Sequence, residues 1–200
     1  MEDVMKQISY GLYIITARQA GMDNGCIINT LFQVTQYPVR VALAVNKQNL
    51  THKMILETGK FNVSILTTAS RFSTYRHWGM QTGREADKMN EILYDRSPNG
   101  LIYITGETNG FMSCLVEQQI DLGTHTLFIA EVTDSGVISE EPSATYDFYQ
   151  TNIKPQVVQK RKKAYVCTVC GYIYEDDVLP ADYVCPVCKH GAADFVPMAA

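Results

Sequence analysis

Four cysteines close to the C-terminus have the spacing of a metal site. Cys167 and Cys170 form one Cys-x-x-Cys pair, and Cys185 and Cys188 form a second. Two tight turns of this kind can present four thiolates tetrahedrally to a single ion. Gly171 directly follows the first pair, where such a turn favours a residue that adopts positive φ at little cost. The spacing predicts one metal ion held by these four cysteines, and it leaves iron and zinc both open.

The remaining cysteines and the charge balance limit the class of protein. Cys26 and Cys114 are unpaired in the sequence and are predicted to be small, buried, apolar side chains. Paired thiols in a metal pattern indicate a reducing compartment, and the acidic N-terminus is unlike a signal peptide, so we expect a cytoplasmic protein. A net charge of −4 does not favour nucleic-acid binding. The apolar runs are far shorter than the roughly 18 to 20 residues of a membrane-spanning helix.

A second group of polar side chains interrupts apolar segments in the first third of the chain. It includes Asn29, Thr30, Gln33 and Thr35, followed by a cluster around Asn49. Polar groups within apolar strands are costly unless they are hydrogen-bonded. Amides and hydroxyls at strand ends suit the hydrogen-bonding edge of a flavin ring, and a helix that begins near Asn49 offers a phosphate site. Ordinary turn and strand polar residues are the alternative interpretation, and the residues alone leave both open.

The charge pattern predicts two domains. Of the 200 residues, 46% are apolar and 19% charged, as in a globular protein. Residues 1–153 carry a net charge of −5 (11 basic and 16 acidic), residues 154–163 carry five basic and no acidic residues, and residues 164–200 carry −4 (one basic and five acidic). We expect a body over 1–153, a solvated basic linker over 154–163 and a small module over 164–200. A module of that size rarely folds without a metal or another crosslink.

The body is predicted to be mainly β-structure with a few helices. Apolar, β-branched and aromatic segments predict strands over Tyr10–Ala17, Val39–Asn46, Phe61–Leu66, Leu101–Thr105, Phe111–Ile120 and Thr124–Val132. Turns are predicted over Gly21–Gly25, Ser97–Gly100, Glu107–Gly110 and Asp134–Gly136. Helices are predicted over Glu2–Ser9, Thr51–Thr58 and Ser143–Thr151, and Asn49 and Gly59 are the candidate N-cap and C-cap of the second. Many short strands with few helices indicate a barrel or a sandwich.

The C-terminal module resembles rubredoxin. The similarity covers YVCTVCGYIYEDD and LPADYVCPVCKHGAADFVPM, including Tyr165, Tyr172 and Phe195. Only 14 residues separate Cys170 from Cys185, about half the usual spacing, as in rubrerythrin-type modules. The resemblance implies a single iron that carries one electron at a time between its ferrous and ferric states.

The body resembles the flavin reductase family of FMN-binding split barrels, also called flavoredoxin-like. The matching segments are ISYGLYIITA, NGCIINTLFQVT, VNKQNLTH, FNVSIL, GREADK and GTHTLFIAEV. In that family FMN lies at the interface of a dimer. The resemblance implies that Asn29, Thr30, Gln33, Val34 and Thr35 flank the flavin ring, that Asn46, Lys47, Asn49 and Thr51 hold the ribityl-phosphate tail, and that Arg84 and Lys88 are candidates for phosphate charge. His125 follows Thr124, where the family usually has an aspartate, and is the candidate catalytic residue on the nicotinamide side.

The combination of the two parts resembles the high-molecular-weight rubredoxins, fusions of a flavoredoxin-like domain to rubredoxin. It implies an oxidoreductase that passes electrons from NAD(P)H through FMN to the iron, and then to an acceptor such as a flavodiiron protein that reduces nitric oxide or oxygen. The first alternative is an FMN and iron carrier that another protein reduces, without its own NAD(P)H site. The second is a zinc-ribbon binding module without redox chemistry.

Overall fold

The computed structural model describes residues 2–5, 7–155, 164–176 and 178–198 of the chain. It divides into two compact units, Met1–Pro155 and Gln156–Ala200. The described elements of the first unit are α1 (Glu2–Met5), β1 (Tyr13–Gln19), β2 (Met22–Ile28), β3 (Leu31–Gln36), β4 (Val39–Asn46), α2 (Leu50–Thr58), β5 (Lys60–Leu66), α3 (Phe72–Gly79), β6 (Tyr94–Arg96), β7 (Ile102–Ile104), β8 (Thr108–Asp121), β9 (His125–Val137) and α4 (Tyr146–Phe148), which continues as a π-helical turn over Tyr149–Ile153.

The first unit is built on one seven-stranded antiparallel sheet in the order β2-β1-β5-β8-β9-β4-β3. Strands β6 and β7 form a separate two-stranded sheet. The main core of the first unit is formed by buried side chains of the seven-stranded sheet, such as Ile15, Leu43, Val63 and Phe128. The expectation of a mainly β fold with a few helices is confirmed, and burial of these apolar side chains is the principal stabilising contribution.

Two predicted elements agree closely with the structure. Strand β4 has the predicted bounds, and α2 begins after Asn49 and ends at Gly59, the two capping residues that the sequence indicates. Gly59 has φ 68° and its N–H donates to the carbonyl of Ile55, as expected of a left-handed C-cap. The Asn49 side chain makes no capping hydrogen bond to the helix. Residues Met54 and Ile55 of α2 are completely buried.

Three of the predicted turns extend into strands or lie within them: Gly25 is in β2, Gly110 is in β8, and Asp134–Gly136 is inside β9. The first hairpin turns at Ala20 and Gly21, and β2 already begins at Met22. A Cβ on Gly25 would lie 2.7 Å from the ring of Trp78. The glycine is therefore needed to make room for the indole, and it does not form a turn. Gly136 lies in β9, where an added Cβ would likewise lie 2.7 Å from the ring of Phe111. Helix α3 and strands β2, β3 and β6 are additional elements that the sequence does not predict.

The second unit is a small sheet around two cysteines. Its described elements are β10 (Ala164–Cys167), β11 (Ile173–Glu175), a 3₁₀ turn over Ala192–Asp194 and β12 (Phe195–Pro197), with the strands in the order β11-β10-β12. Its buried centre consists of Cys167, Cys185 and Phe195. Residues 156–163 of the predicted linker lie outside the described residues. In the described part of the chain, no helix is both long and apolar enough to cross a membrane.

Candidate functional site

The first cysteine pair lies in a tight turn at the end of β10. Cys167 is the last residue of that strand, and its carbonyl accepts a 2.8 Å hydrogen bond from the N–H of Gly171. Gly171 has φ 75°, a conformation that most side chains would strain, which confirms the role expected of this glycine. The turn places the Cys170 sulfur at the protein surface, whereas Cys167 is buried.

The second pair repeats this geometry in the loop before the 3₁₀ turn. The N–H of Lys189, which also has positive φ (65°), donates to the carbonyl of Cys185 at 3.0 Å. Burial raises the pKa of the Cys185 thiol, but hydrogen bonds to its sulfur from the backbone N–H groups of Cys188 and Val187 and from the thiols of Cys170 and Cys188 together lower it to about 6. Backbone donors of this kind stabilise a thiolate and therefore prepare the sulfur to bind a metal.

The four sulfurs converge on one point. The Sγ atoms of Cys167 and Cys188 are 3.6 Å apart, those of Cys170 and Cys185 are 3.5 Å apart, and all four lie within 4.8 Å of one another. A tetrahedral ion with metal–sulfur bonds of about 2.3 Å places its sulfurs about 3.8 Å apart. The donor set and its dimensions therefore fit a single tetrathiolate metal ion.

Aromatic side chains shield the buried side of the cysteine cluster. Tyr165, Tyr172, Tyr174 and Tyr183 pack against its core. The rings of Tyr174 and Tyr183 are 4.4 Å apart, and Tyr183 meets Phe195 edge to face at 5.4 Å. The cluster is therefore apolar on one side, and Cys170 is its exposed residue.

A cleft of about 490 Å³ lies in the first unit between the beginning of α2 and the end of α3; we call it the α2–α3 cleft. Four of the predicted cofactor residues, Asn49, Thr51, Arg84 and Lys88, are among its lining residues. Strand β2 contributes Asn24, Gly25 and Cys26, and the segment from Trp78 to Gly83 forms the side opposite α2.

Polar side chains hold the beginning of α2 and the following loop in place around the cleft. The Asn24 amide donates to the Thr51 hydroxyl at 2.9 Å, and both side chains are buried. A Cβ on Gly83 would lie 2.1 Å from the Asn24 amide oxygen, so only glycine fits beside that amide. Arg84 donates from its guanidinium to the carbonyl of Gln48 at 2.9 Å. Donors at the beginning of a helix, together with an arginine, suit a phosphate group.

Lys88 lies in a different environment from the solvated position that a phosphate contact suggests. Its side chain is only 4% exposed, and its ammonium donates to the carbonyls of Gly25 and Trp78 at 3.0 Å each. Burial lowers the pKa of this lysine. The same carbonyl contacts place the lysine between β2 and the end of α3.

The residues predicted to flank the flavin ring lie along β3, at the edge of the sheet. Thr30 donates to the carbonyl of Ala44 at 2.6 Å, and Gln33 donates to the carbonyl of Thr35 at 3.0 Å. Val34 occupies a bulge, because the register of β3 against β4 shifts between Gln33 and Thr35. Asn29 precedes this strand. These side chains are not among those that line the α2–α3 cleft, and their role as flavin contacts stays a prediction.

Lys47 and His125 meet where β4 ends and β9 begins. Asn46 pairs with His125 in the sheet, and the Asn46 amide oxygen accepts from the N–H of Gln48. The ammonium of Lys47 pairs with the Asp121 carboxylate at 2.6 Å, so this charge already has a partner. Nδ1 of His125 is 2.9 Å from the hydroxyl of Thr124. The role of His125 on the nicotinamide side stays a prediction.

Sequence reasoning missed Asn24, Trp78 and Gly83 as cleft residues. Trp78 is almost completely buried, and its indole lies against Gly25. The sequence contained one signal for Gly83: it is the first residue of the segment GREADK, and a glycine at that position indicates close backbone packing. Asn24 and Trp78 reach the cleft only through tertiary packing. Taken together, the donors at the beginning of α2 and the Arg84 guanidinium form a donor set that fits a phosphate-bearing flavin.

Comparisons with known proteins identify both units. The family described as "Flavin reductase like domain" matches residues 5–155, and "Rubrerythrin, rubredoxin-like domain" matches residues 165–196. The chain is 34% identical over 218 aligned positions to "High molecular weight rubredoxin" of Moorella thermoacetica, with 94% of this chain and 95% of that protein covered. It is 35% identical to "Ferric-chelate reductase (NAD(P)H)" of Archaeoglobus fulgidus, with 72% of this chain and 85% of that protein covered.

A solved structure shows the same fold as the first unit. The NADH:FAD oxidoreductase of Streptomyces globisporus C-1027 superposes with a TM-score of 0.65 at 19% identity, covering 72% of this chain and 85% of that one. The expectations of a split-barrel fold, a flavin cofactor, a rubredoxin-like iron site and an oxidoreductase are confirmed. The chain belongs to the flavin-reductase-like family and has a rubredoxin-like four-cysteine domain at its C-terminal end.

Proposed function

We propose that this protein passes electrons from NAD(P)H through FMN to a four-cysteine iron site and then to a redox protein. The single observation that carries the proposal is the convergence of four sulfurs within 4.8 Å on the same chain as a flavin-reductase body. A bound flavin accepts two electrons as a hydride, and an iron with four thiolate ligands accepts one at a time. A chain that holds both groups can convert a two-electron donor into a source of single electrons.

The α2–α3 cleft and β3 supply the flavin contacts in this proposal. The free N–H groups at the beginning of α2 and the Arg84 guanidinium bind the phosphate, because both are donors at one end of the cleft. Asn46, Lys47, Asn49 and Thr51 border the ribityl-phosphate tail. The ring lies against Asn29, Thr30, Gln33, Val34 and Thr35, where the bulge at Val34 exposes backbone groups of an edge strand.

His125 orients the nicotinamide of NAD(P)H. Its Nδ1 is 2.9 Å from the Thr124 hydroxyl, a contact that restrains the ring, and Nε2 is the nitrogen that meets the nicotinamide in this proposal. Gly123, with φ 81°, forms the tip of the β8–β9 hairpin and allows the chain to present this histidine beside Asn46.

The four cysteines hold the iron, and Cys170 is the ligand closest to solvent. Val169 and Val187 are exposed, one inside each cysteine turn, and in this proposal they form the apolar rim that an acceptor contacts. Electron transfer weakens steeply with distance, so an acceptor that contacts this rim receives electrons more rapidly than one that contacts the tyrosine side. We propose a flavodiiron-type protein as that acceptor.

The proposal extends to organisation. We propose domains over 1–153 and 164–200 joined by a basic linker over 154–163, supported by the two compact units and the two matched ranges. We also propose a cytoplasmic homodimer. Phe32, Val34, Tyr37 and Val39, on and between β3 and β4, are all more than 40% exposed and give the body an apolar surface that a second copy covers.

One observation favours a second candidate, an electron carrier without its own NAD(P)H site: position 124 is a threonine, where the resemblance to flavin reductases implies an aspartate. Rapid anaerobic mixing of the holoprotein with NADH or NADPH separates the two. We expect loss of flavin absorbance with at least one of them, whereas an oxidised flavin after mixing with both would support the carrier. Metal analysis of anaerobically purified protein tests the iron, and one zinc with no iron per chain would contradict electron transfer through the cysteines.

A further inference from the structure

We propose that Lys88 is a positioning residue of the α2–α3 cleft, which keeps β2 and the end of α3 at a fixed separation, rather than a contact to the flavin phosphate. The inference rests on the proposed function in one respect, namely that flavin binds in this cleft. It differs from the role expected from the sequence, which is a charge for the phosphate.

The hydrogen bonds of the ammonium support this inference. Nζ of Lys88 donates to the carbonyl of Gly25 on β2 and to the carbonyl of Trp78 at the end of α3, at 3.0 Å each. An ammonium has three donors, so two of them are committed to the protein backbone. With only 4% of the residue exposed, the head group has little freedom to turn towards a ligand.

The two acceptors lie on opposite sides of one contact. The ring of Trp78 packs against Gly25 so closely that a Cβ on the glycine would be 2.7 Å away from it. Lys88 therefore bonds the backbones of two residues whose other atoms are already in van der Waals contact. Trp78 is in the last turn of α3, where carbonyls lack helical partners and a cation is favourable.

The opposite side of the cleft has an equivalent connection. Asn24 precedes Gly25 on β2, and its amide donates to Thr51 at the beginning of α2. Consecutive residues of β2 are thus bonded to α2 through Asn24 and to α3 through Gly25 and Lys88. The separation of the two helix ends determines the width of the cleft, so loss of the lysine affects every part of a ligand that contacts both sides.

Among the described residues, no carboxylate pairs with the ammonium of Lys88. The ion pairs among the described residues do not include Lys88. Its attraction is directed to two neutral carbonyls. The role of Lys88 therefore depends on its two directed hydrogen bonds and not on its net charge. A group that replaces the ammonium must donate the same hydrogen bonds.

The test compares two flavins in full-length apoprotein. Lys88→Met keeps an apolar side chain of similar length and removes the hydrogen-bond donors. The matched control is Lys53→Met, which makes the same change at an exposed lysine of α2. Titration uses FMN and riboflavin, which lacks the phosphate, and follows the emission of Trp78, the single tryptophan of the chain. We expect Lys88→Met to weaken both flavins by the same factor, about tenfold or more for lost hydrogen bonds from a charged donor. Arg84→Gln should weaken FMN alone.

Rescue distinguishes positioning from a general loss of structure. Lys88→Ala leaves room for the deleted atoms, and n-propylammonium carries the same carbons and donors. We expect this amine to restore both affinities and the wild-type Trp78 emission of the flavin-free protein, whereas tetramethylammonium, which has no N–H, should restore neither.

Several results would overturn the inference. Weaker FMN binding with unchanged riboflavin binding would show that the ammonium contacts the phosphate. Unchanged binding of both flavins, or a Lys88→Ala variant that n-propylammonium does not rescue, would remove the positioning role. Failure of the wild-type chain to bind either flavin would instead contradict the proposed function.

Discussion

Replacing Cys185 with serine tests how the iron site and the flavin body depend on each other. Cys185 is completely buried, and its sulfur is 3.5 Å from that of Cys170. A serine hydroxyl is a poor ligand for a site of soft thiolates, so the variant retains three ligands and an open position. We expect iron to fall from about one per chain to near zero.

The magnitude follows from the small core of the second unit. Cys167, Cys185 and Phe195 are its buried apolar residues in the part that the structure describes, and two of these three are metal ligands. Structural tetrahedral sites contribute on the order of 10 to 16 kcal/mol of binding free energy, and this becomes folding free energy in small domains. Losing the metal should therefore unfold the second unit entirely.

The assay measures iron and flavin per chain together with thermal unfolding. We expect the Cys185→Ser variant to lose its iron and to keep its flavin. The thermal unfolding transition of the second unit should be absent. Cys114→Ala is the control, because that thiol is buried in the core of the first unit and should leave the iron content unchanged. Loss of flavin together with iron in Cys185→Ser would refute the independence of the two units, and retained iron would refute the four-cysteine site.

Three further predictions concern the connection of the units and the stability of the body. Truncation after Pro155, which keeps Ile153 in its packed position, should preserve flavin binding and dimerisation but abolish electron transfer to a flavodiiron-type acceptor; undiminished transfer would place the iron off the path. Lys160, Arg161, Lys162 and Lys163 lie outside the described residues. These basic residues separate two acidic segments, residues 1–153 and residues 164–200, and exposed charges attract one another over about 8 Å at physiological ionic strength. Replacing all four with serine should therefore slow electron transfer from flavin to iron and make its rate less dependent on salt. Identical rates and salt dependences in the two proteins would show that the basic run is only a tether. Burial raises the pKa of Glu107, but hydrogen bonds from Thr74 and Arg71 lower it overall. A lowered pKa stabilises the body above about pH 4.3, and the contribution disappears as pH falls through the lowered value, so Glu107→Gln should lose less thermal stability than wild type between about pH 5 and 3; equal losses would contradict this.

Local patterns predict the elements whose partners are close in sequence. Each Cys-x-x-Cys pair forms its own short turn, and Gly171 closes the first of them within five residues. Asn49 and Gly59 mark the two ends of α2. These features depend on short spacings that remain visible in the sequence.

Tertiary packing determines what the sequence could not predict. Lys88 reaches a carbonyl 63 residues away, on Gly25, so its type alone suggests a solvated phosphate contact. Gly25 and Gly136 are read as turn residues because glycine breaks strands, yet each accommodates an aromatic ring from a different element. The α2–α3 cleft is likewise formed by β2 and the end of α3, and neither element was predicted.

Anaerobic titration of the holoprotein with NADH, following the flavin and iron absorption bands together, tests electron flow most directly. A flavin accepts two electrons and the iron one, so complete reduction should need about 1.5 NADH per chain, with both bands bleached. Reduced flavin beside oxidised iron at the end of the titration would contradict transfer from flavin to iron, and an oxidised flavin throughout would contradict NADH as the donor.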